Sequence, residues 1–154
     1  MRAARINHVS ILANDLEESA RFYEELFGMK RLPTGRFSTP VLWLRLGEQQ
    51  VHLFIREDGK PMPGQHFGID VDDFDAVYAK AKAMGILDTA TFGVALRSHP
   101  AGWVQLYLRD PAGNLLEVDW PDGSTLSPET LADVTPLDTP QEGEAATATI
   151  YHSA

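Results

Sequence analysis

The sequence predicts an α+β fold of two βαβββ modules that together form a curved mixed sheet, and three observations lead there. A pattern recurs after 58 residues, pairing His8 with His66 and Leu16 with Phe74. Each copy runs from a short β-like segment into an amphipathic helix closed by glycine, and then into strand-like apolar runs. A link rich in Pro and Gly separates the copies. Repetition at this period marks one supersecondary unit present twice, neither copy able to bury its apolar face alone.

The first element is the β-like segment Asn7-His8-Val9-Ser10-Ile11. Asn14-Asp15-Leu16-Glu17-Glu18 then reads as a helix start, with an acidic first turn and Glu18 three residues beyond Asp15. Leu16, Ala20, Tyr23 and Phe27 recur at helical spacing, and Gly28 is the stop. Strand-like runs over 41–46 and 50–55 complete the first module, residues 5–56. The link covers residues 57–64. The second module, residues 65–120, opens with Gln65-His66-Phe67-Gly68-Ile69. Its helix begins at Asp72-Asp73, carries the stripe Phe74, Val77, Tyr78 and Ala81, and ends at Gly85. Strand-like runs over 103–109 and 115–120 follow.

Residues 1–120 form one domain in this reading, and residues 121–154 an acidic Pro- and Thr-rich arm or tail. The 154-residue chain carries a formal charge of −9, unevenly spread. Residues 121–154 contribute six acids, four of the ten prolines and no Lys or Arg, with Tyr151 as the one aromatic. Nucleic acid is excluded as a partner, since proteins that bind it concentrate Lys and Arg. There is no cysteine, which removes disulfides, zinc-thiolate sites and cysteine nucleophiles and leaves any metal to His, Asp and Glu. No apolar run reaches the roughly 18 residues that span a bilayer, so no membrane is expected and a cytoplasmic location is the default.

Strand alternation sorts the side chains by face. Val9 and Ile11, Val51 and Leu53, Ile69 and Val71, Leu106 and Leu108, and Leu116 and Val118 define an aliphatic face beneath the helices. The opposite face gathers His8, His52, His66, Tyr107, Glu117 and the glutamines Gln50 and Gln105. A single strand histidine is ordinarily a hydrogen-bonded structural residue, and a single glutamate is ordinarily solvated. Three histidines and a glutamate on one face of two repeats point instead to a site.

At these residues the chain resembles the vicinal-oxygen-chelate superfamily, which includes glyoxalase I, type I extradiol dioxygenases, fosfomycin-modifying enzymes and bleomycin-binding proteins. The resemblance rests on Ile6-Asn7-His8-Val9, on the stretch from Asn14-Asp15-Leu16 through Arg21-Phe22-Tyr23 to Leu26-Phe27-Gly28-Met29, and on Val51-His52-Leu53. It continues through His66-Phe67, Val71-Asp72-Asp73 and the run Arg109-Asp110-Pro111-Ala112-Gly113-Asn114-Leu115-Leu116-Glu117. It implies a glyoxalase/extradiol dioxygenase-like fold built around a metal site. The metal ligands it implies are His8, His66 and Glu117, with His52 either a fourth ligand or an acid–base residue. Imidazole and carboxylate suit divalent metals; Fe(II) is favoured, with Mn, Ni or Zn as alternatives.

Among the reactions in the superfamily, the resemblance points to a ring-cleaving extradiol-type dioxygenase acting on a catecholic substrate. Tyr107 lies ten residues before Glu117, matching a tyrosine of those enzymes, and His99 falls near the place of a further histidine. His52, Tyr107 and His99 are thus the expected catalytic residues, His52 as proton shuttle and Tyr107 as hydrogen-bond donor to a developing ketone. A fourth-ligand role for His52 fits instead a glyoxalase- or epimerase-like lyase or isomerase. A metal-free drug- or metabolite-binding protein is the third alternative. The expected partners are a small aromatic or vicinal-oxygen substrate and a second copy of the chain, with modules exchanged, where exchange occurs, about the 57–65 link.

Overall fold

The computed structural model of the chain describes residues 2–150, so Tyr151 lies outside the described residues. The described residues fall into two units: residues 2–65 with 110–114, and residues 66–109 with 115–150.

Unit 1 holds β1 (His8–Leu12), α1 (Leu16–Phe27), β2 (Lys30–Leu32), β3 (Val41–Leu46) and β4 (Gln49–Phe54). Its sheet runs β1-β4-β3-β2, with β1 parallel to β4 and the other pairs antiparallel. The helix starts where the sequence places it: Asp15 accepts the backbone N–H of Glu18 at 2.9 Å, filling one donor the first turn leaves unpaired. It ends at Gly28, whose φ of 64° is open to a residue without Cβ. The buried stripe differs from the expected one. It consists of Ser19, Ala20, Phe22, Tyr23 and Leu26, while Leu16 and Phe27 are half-buried. The helix turns to cover Phe22 and Leu26, two large apolar side chains whose burial outweighs that of the stripe's end residues.

Unit 2 repeats the plan with β5 (His66–Asp70), α2 (Phe74–Met84), β6 (Leu96–Ser98), β7 (Val104–Arg109) and β8 (Leu115–Trp120). Asp73 accepts the Ala76 N–H at 2.9 Å, and Gly85 closes the helix with φ 68°. Phe74, Val77, Tyr78 and Ala81 are all buried, the stripe the sequence predicts. Its sheet runs β5-β8-β7-β6, with β5 parallel to β8 and a further edge strand beside β6. Short β2 and β6 complete the βαβββ count and were not located by sequence pattern, since three residues carry little alternation.

The acidic stretch after Trp120 carries elements of its own. A 3₁₀ turn at Gly123–Thr125 and α3 (Pro128–Leu131) bury Leu126 and Thr130. Ser127 caps α3 and also donates its backbone N–H to Asp75 of α2 at 3.0 Å. Asp133 accepts from the hydroxyl of Tyr78 at 2.7 Å and pairs with Lys82. β9 (Thr135–Pro136) then adds a parallel edge to β6. Among the described residues no helix is long and apolar enough to cross a membrane.

Candidate functional site

The two sheets share a register that pairs equivalent positions. In unit 1, His52 of β4 sits between Ser10 of β1 and Trp43 of β3. In unit 2, Glu117 of β8 sits between Gly68 of β5 and Tyr107 of β7. His52 is therefore the first unit's counterpart of Glu117, and Trp43 the counterpart of Tyr107. His8 and His66 hold the same place on their strands, two residues before Ser10 and Gly68.

In unit 1 the structure brings His8 and His52 together. Their rings stack at 4.3 Å with 15° between planes, and the other face of His52 stacks on Trp43 at 4.6 Å and 14°. The Nε2 atom of His52 meets Gln50 Oε1 at 2.8 Å, which places the proton on Nε2 and leaves the Nδ1 lone pair open. Burial, and then the neighbouring His8 ring, lower the pKa of His52, so the imidazole is neutral at neutral pH. A cleft of about 590 Å³ opens beside this column, bounded by the rings of Phe37, Trp43, His52 and Phe54 and by Ser10, Ser38, Thr39 and Val41.

In unit 2 the structure brings His66, Glu117 and Tyr107 together. His66 Nε2 lies 3.3 Å from Glu117 Oε2. The ring of Tyr107 meets that of His66 edge-on, with centroids 6.0 Å apart. Burial first, and then a hydrogen bond to Glu117, push the Tyr107 hydroxyl pKa far up, so Tyr107 keeps its proton and donates a hydrogen bond to the carboxylate. Glu117 is itself only 8% exposed, which makes a partner for its charge obligatory.

Asp119 is a further residue of this face, not among the expected site residues, although alternation puts it there two residues after Glu117. It is buried, accepts weakly from Gln105 at 3.5 Å, and is pushed up to about 7, by burial first and then by the charge of Glu117. Gly68 makes room for it: a Cβ there would come within 2.8 Å of the Asp119 carboxylate. His99 keeps other company. Its ring stacks on Trp103 at 4.3 Å, and its Nδ1 accepts the Ala101 N–H at 3.0 Å in the β6–β7 turn.

The run Asp110–Asn114 belongs to unit 1 and ties it internally. Tyr23 donates its hydroxyl to Asp110 at 2.8 Å, and Asn114 Nδ2 donates to the Leu12 carbonyl at 2.7 Å. Asp110 also collects the backbone N–H groups of Ala112 and Asn114. Asn114 Nδ2 donates to the same carboxylate at 2.7 Å, and these four donors give the run a structural reason.

Among the described residues no group of three or more His, Asp or Glu side chains is gathered ready to hold a metal ion. The pair that is gathered does fit one. Donor atoms each about 2.1 Å from a shared ion are about 3.3 Å apart at an angle near 100°. His66 Nε2 and Glu117 Oε2 have that separation. An imidazole and a buried carboxylate, the latter steadied by Tyr107, make a donor set for a divalent ion.

A family model described as the Glyoxalase/Bleomycin resistance protein/Dioxygenase superfamily matches residues 5–118. The chain belongs to this superfamily, and the two-module fold is the one it adopts. Particular relatives carry different chemistries. The metallothiol transferase FosB of Lysinibacillus sphaericus (strain C3-41) is 34% identical over 93 residues, covering 56% of this chain and 64% of that one. The crystal structure of lactoylglutathione lyase from Agrobacterium tumefaciens matches with TM-score 0.59 and 26% identity, over 77% of this chain and 94% of that one. The structure of the oxidase ChaP-H2 matches with TM-score 0.61 and 25% identity, over 79% of this chain and 98% of that one.

Proposed function

We propose that the chain is a metal-dependent, ring-cleaving dioxygenase of this superfamily, acting on a catecholic substrate. In this reading His8, His66 and Glu117 hold the metal, Fe(II) in preference to Mn, Ni or Zn, and His52 is an acid–base group. The observation that carries it is the setting of His52. Its ring is clamped between two parallel rings and its Nε2 is taken by Gln50, which suits a fixed proton carrier better than a ligand. A bound divalent ion would supply Lewis acidity, drawing two adjacent substrate oxygens together and lowering their pKa.

The chain's own residues do the rest. Nδ1 of His52 takes a proton from a substrate hydroxyl and returns it later, with Gln50 fixing the tautomer. Tyr107 holds Glu117 in orientation through its hydroxyl, and a substrate oxygen arriving beside that carboxylate meets the same donor. His99, the third expected catalytic residue, would act from the β6–β7 turn, with Nδ1 already accepting the Ala101 N–H. The reading also includes a cytoplasmic homodimer.

Oxygen uptake tests it. Protein prepared without air and loaded with Fe(II) should consume one O₂ per catechol and give a yellow product. Turnover with Ni, Zn or Mn and no oxygen uptake would replace the reading by thiol transfer or a lyase or isomerase reaction. The FosB and lactoylglutathione lyase matches favour that second reading.

A further inference from the structure

The arm that follows β9 travels from the edge of unit 2's sheet onto its polar face. β9 runs parallel to β6, pairing Thr135 with Arg97 and Pro136 with Ser98, and the Leu137 N–H donates to the Ser98 carbonyl at 2.8 Å. This direction carries the chain toward the β6–β7 turn. Farther along, the Ala148 carbonyl accepts the indole N–H of Trp103 at 2.7 Å. Trp103 precedes β7 on the same side as Gln105 and Tyr107, since alternate residues share a face. His99 stands opposite it on the hairpin. The His99 N–H donates to the Trp103 carbonyl at 2.9 Å, and the two rings stack at 5°. The arm's far end thus meets the face that carries Tyr107 and Glu117, at the end where His99 stands.

Little holds the arm there. None of residues 138–150 is buried. Its other hydrogen bonds are internal, from Gln141 to the Thr139 carbonyl, from Thr147 to the Glu144 carbonyl, and along the backbone of the 3₁₀ turn at Gly143–Thr147. Asp138, Glu142 and Glu144 form no ion pair among the described residues. Beyond Leu137, the Trp103–Ala148 bond is therefore the one hydrogen bond from the described arm to the rest of unit 2. A segment with no buried side chain and one such bond opens at far lower cost than global unfolding. His99, by contrast, is only 7% exposed.

We infer that residues 138–150 form a strap over this end of the polar face, latched by Trp103 and Ala148, whose opening admits small molecules to His99. The inference rests on the proposed function for placing chemistry on that face, and adds how access to it is controlled. Closed, the strap holds Trp103 flat on His99 and keeps water from that end of the face. Open, it leaves the His99 imidazole within reach of a substrate.

The test reads access to His99 in the metal-free chain, which keeps it independent of turnover. Diethyl pyrocarbonate acylates accessible imidazoles, and mass spectrometry of the resulting peptides gives a rate for each histidine. His8, exposed and in unit 1, is the internal reference. Trp103→Phe in the full-length chain keeps a ring against His99 and removes the latch donor. A second variant, ending after Leu137, keeps Trp103 and β9 and removes the strap, with its fold checked by circular dichroism. Relative to His8, His99 should react about fivefold faster in Trp103→Phe and about tenfold faster in the shortened chain, as the open population grows. Wild-type reactivity of His99 in the folded shortened chain overturns the inference, because something else then covers the ring. An unchanged rate in Trp103→Phe overturns it as well, and decides alone if the shortened chain does not fold. Faster His99 reaction without oxygen uptake leaves the strap standing and removes the dioxygenase. Oxygen uptake with His99 equally reactive in all three chains does the reverse.

Discussion

At the scale of single residues, what each side chain can do depends on which of its nitrogens and oxygens is already occupied. His52 has Nε2 committed to Gln50 and both ring faces covered, so its remaining freedom is a proton at Nδ1. His52→Gln should therefore leave metal content near that of the wild type while turnover falls by roughly two to four orders of magnitude. Loss of metal in that variant, read by elemental analysis, would make His52 a ligand instead. Tyr23 has a structural version of the same commitment. Its fully buried hydroxyl donates to Asp110, which burial pushes toward protonation while its four hydrogen bonds pull the other way. Tyr23→Phe should cost about 1–2 kcal/mol in denaturant unfolding, because the other donors still satisfy the carboxylate. No change in midpoint would show that the hydroxyl contributes nothing.

At the scale of elements, the helices were legible in the sequence and the short strands were not. Asp15, Gly28, Asp73 and Gly85 act locally, each through its own backbone or a cap three residues away, so their meaning survives without tertiary knowledge. β2, β6 and β9 exist only because a neighbouring strand offers partners, and nothing in two or three residues announces that. The segment leading into β6 is held by a polar lock of the same non-local kind. Asp88 accepts from Arg109 at 2.7 Å and from the Thr91 N–H at 2.8 Å, and Arg109 also reaches Thr91 at 2.6 Å. Burial alone would raise the Asp88 pKa, but these donors outweigh it and leave the pKa lowered. A lowered carboxylate pKa contributes stability above the unfolded value of about 3.9, and that contribution fades as pH falls through the folded value. Asp88→Asn should thus be less stable than wild type at pH 7, with the gap closing below about pH 4. A gap that does not vary with pH would mean the ionised form has no special role.

At the scale of the whole molecule, the repeat was the most legible feature and the functional detail the least. A spacing of 58 residues placed His8 and His66 on equivalent strands, and alternation placed His52 and Glu117 with them. Alternation could also have flagged Asp119. The stacking of His52 between His8 and Trp43 could not be foreseen, because register across three strands is set by the whole sheet. Outer strands of small sheets call for cover, and a second copy of the chain is the proposed source. Light scattering should give twice the chain mass of 17.0 kDa, and a value near one chain mass would remove the dimer. The central claim is that His8, His66 and Glu117 hold one divalent ion. The direct measurement is elemental analysis of protein purified without air, wild type beside Glu117→Gln, with folding checked by circular dichroism. The wild type should carry close to one metal ion per chain and the folded variant almost none. Wild-type protein without metal after Fe(II), Mn, Ni and Zn are each supplied, or a folded variant that keeps full occupancy, would contradict it.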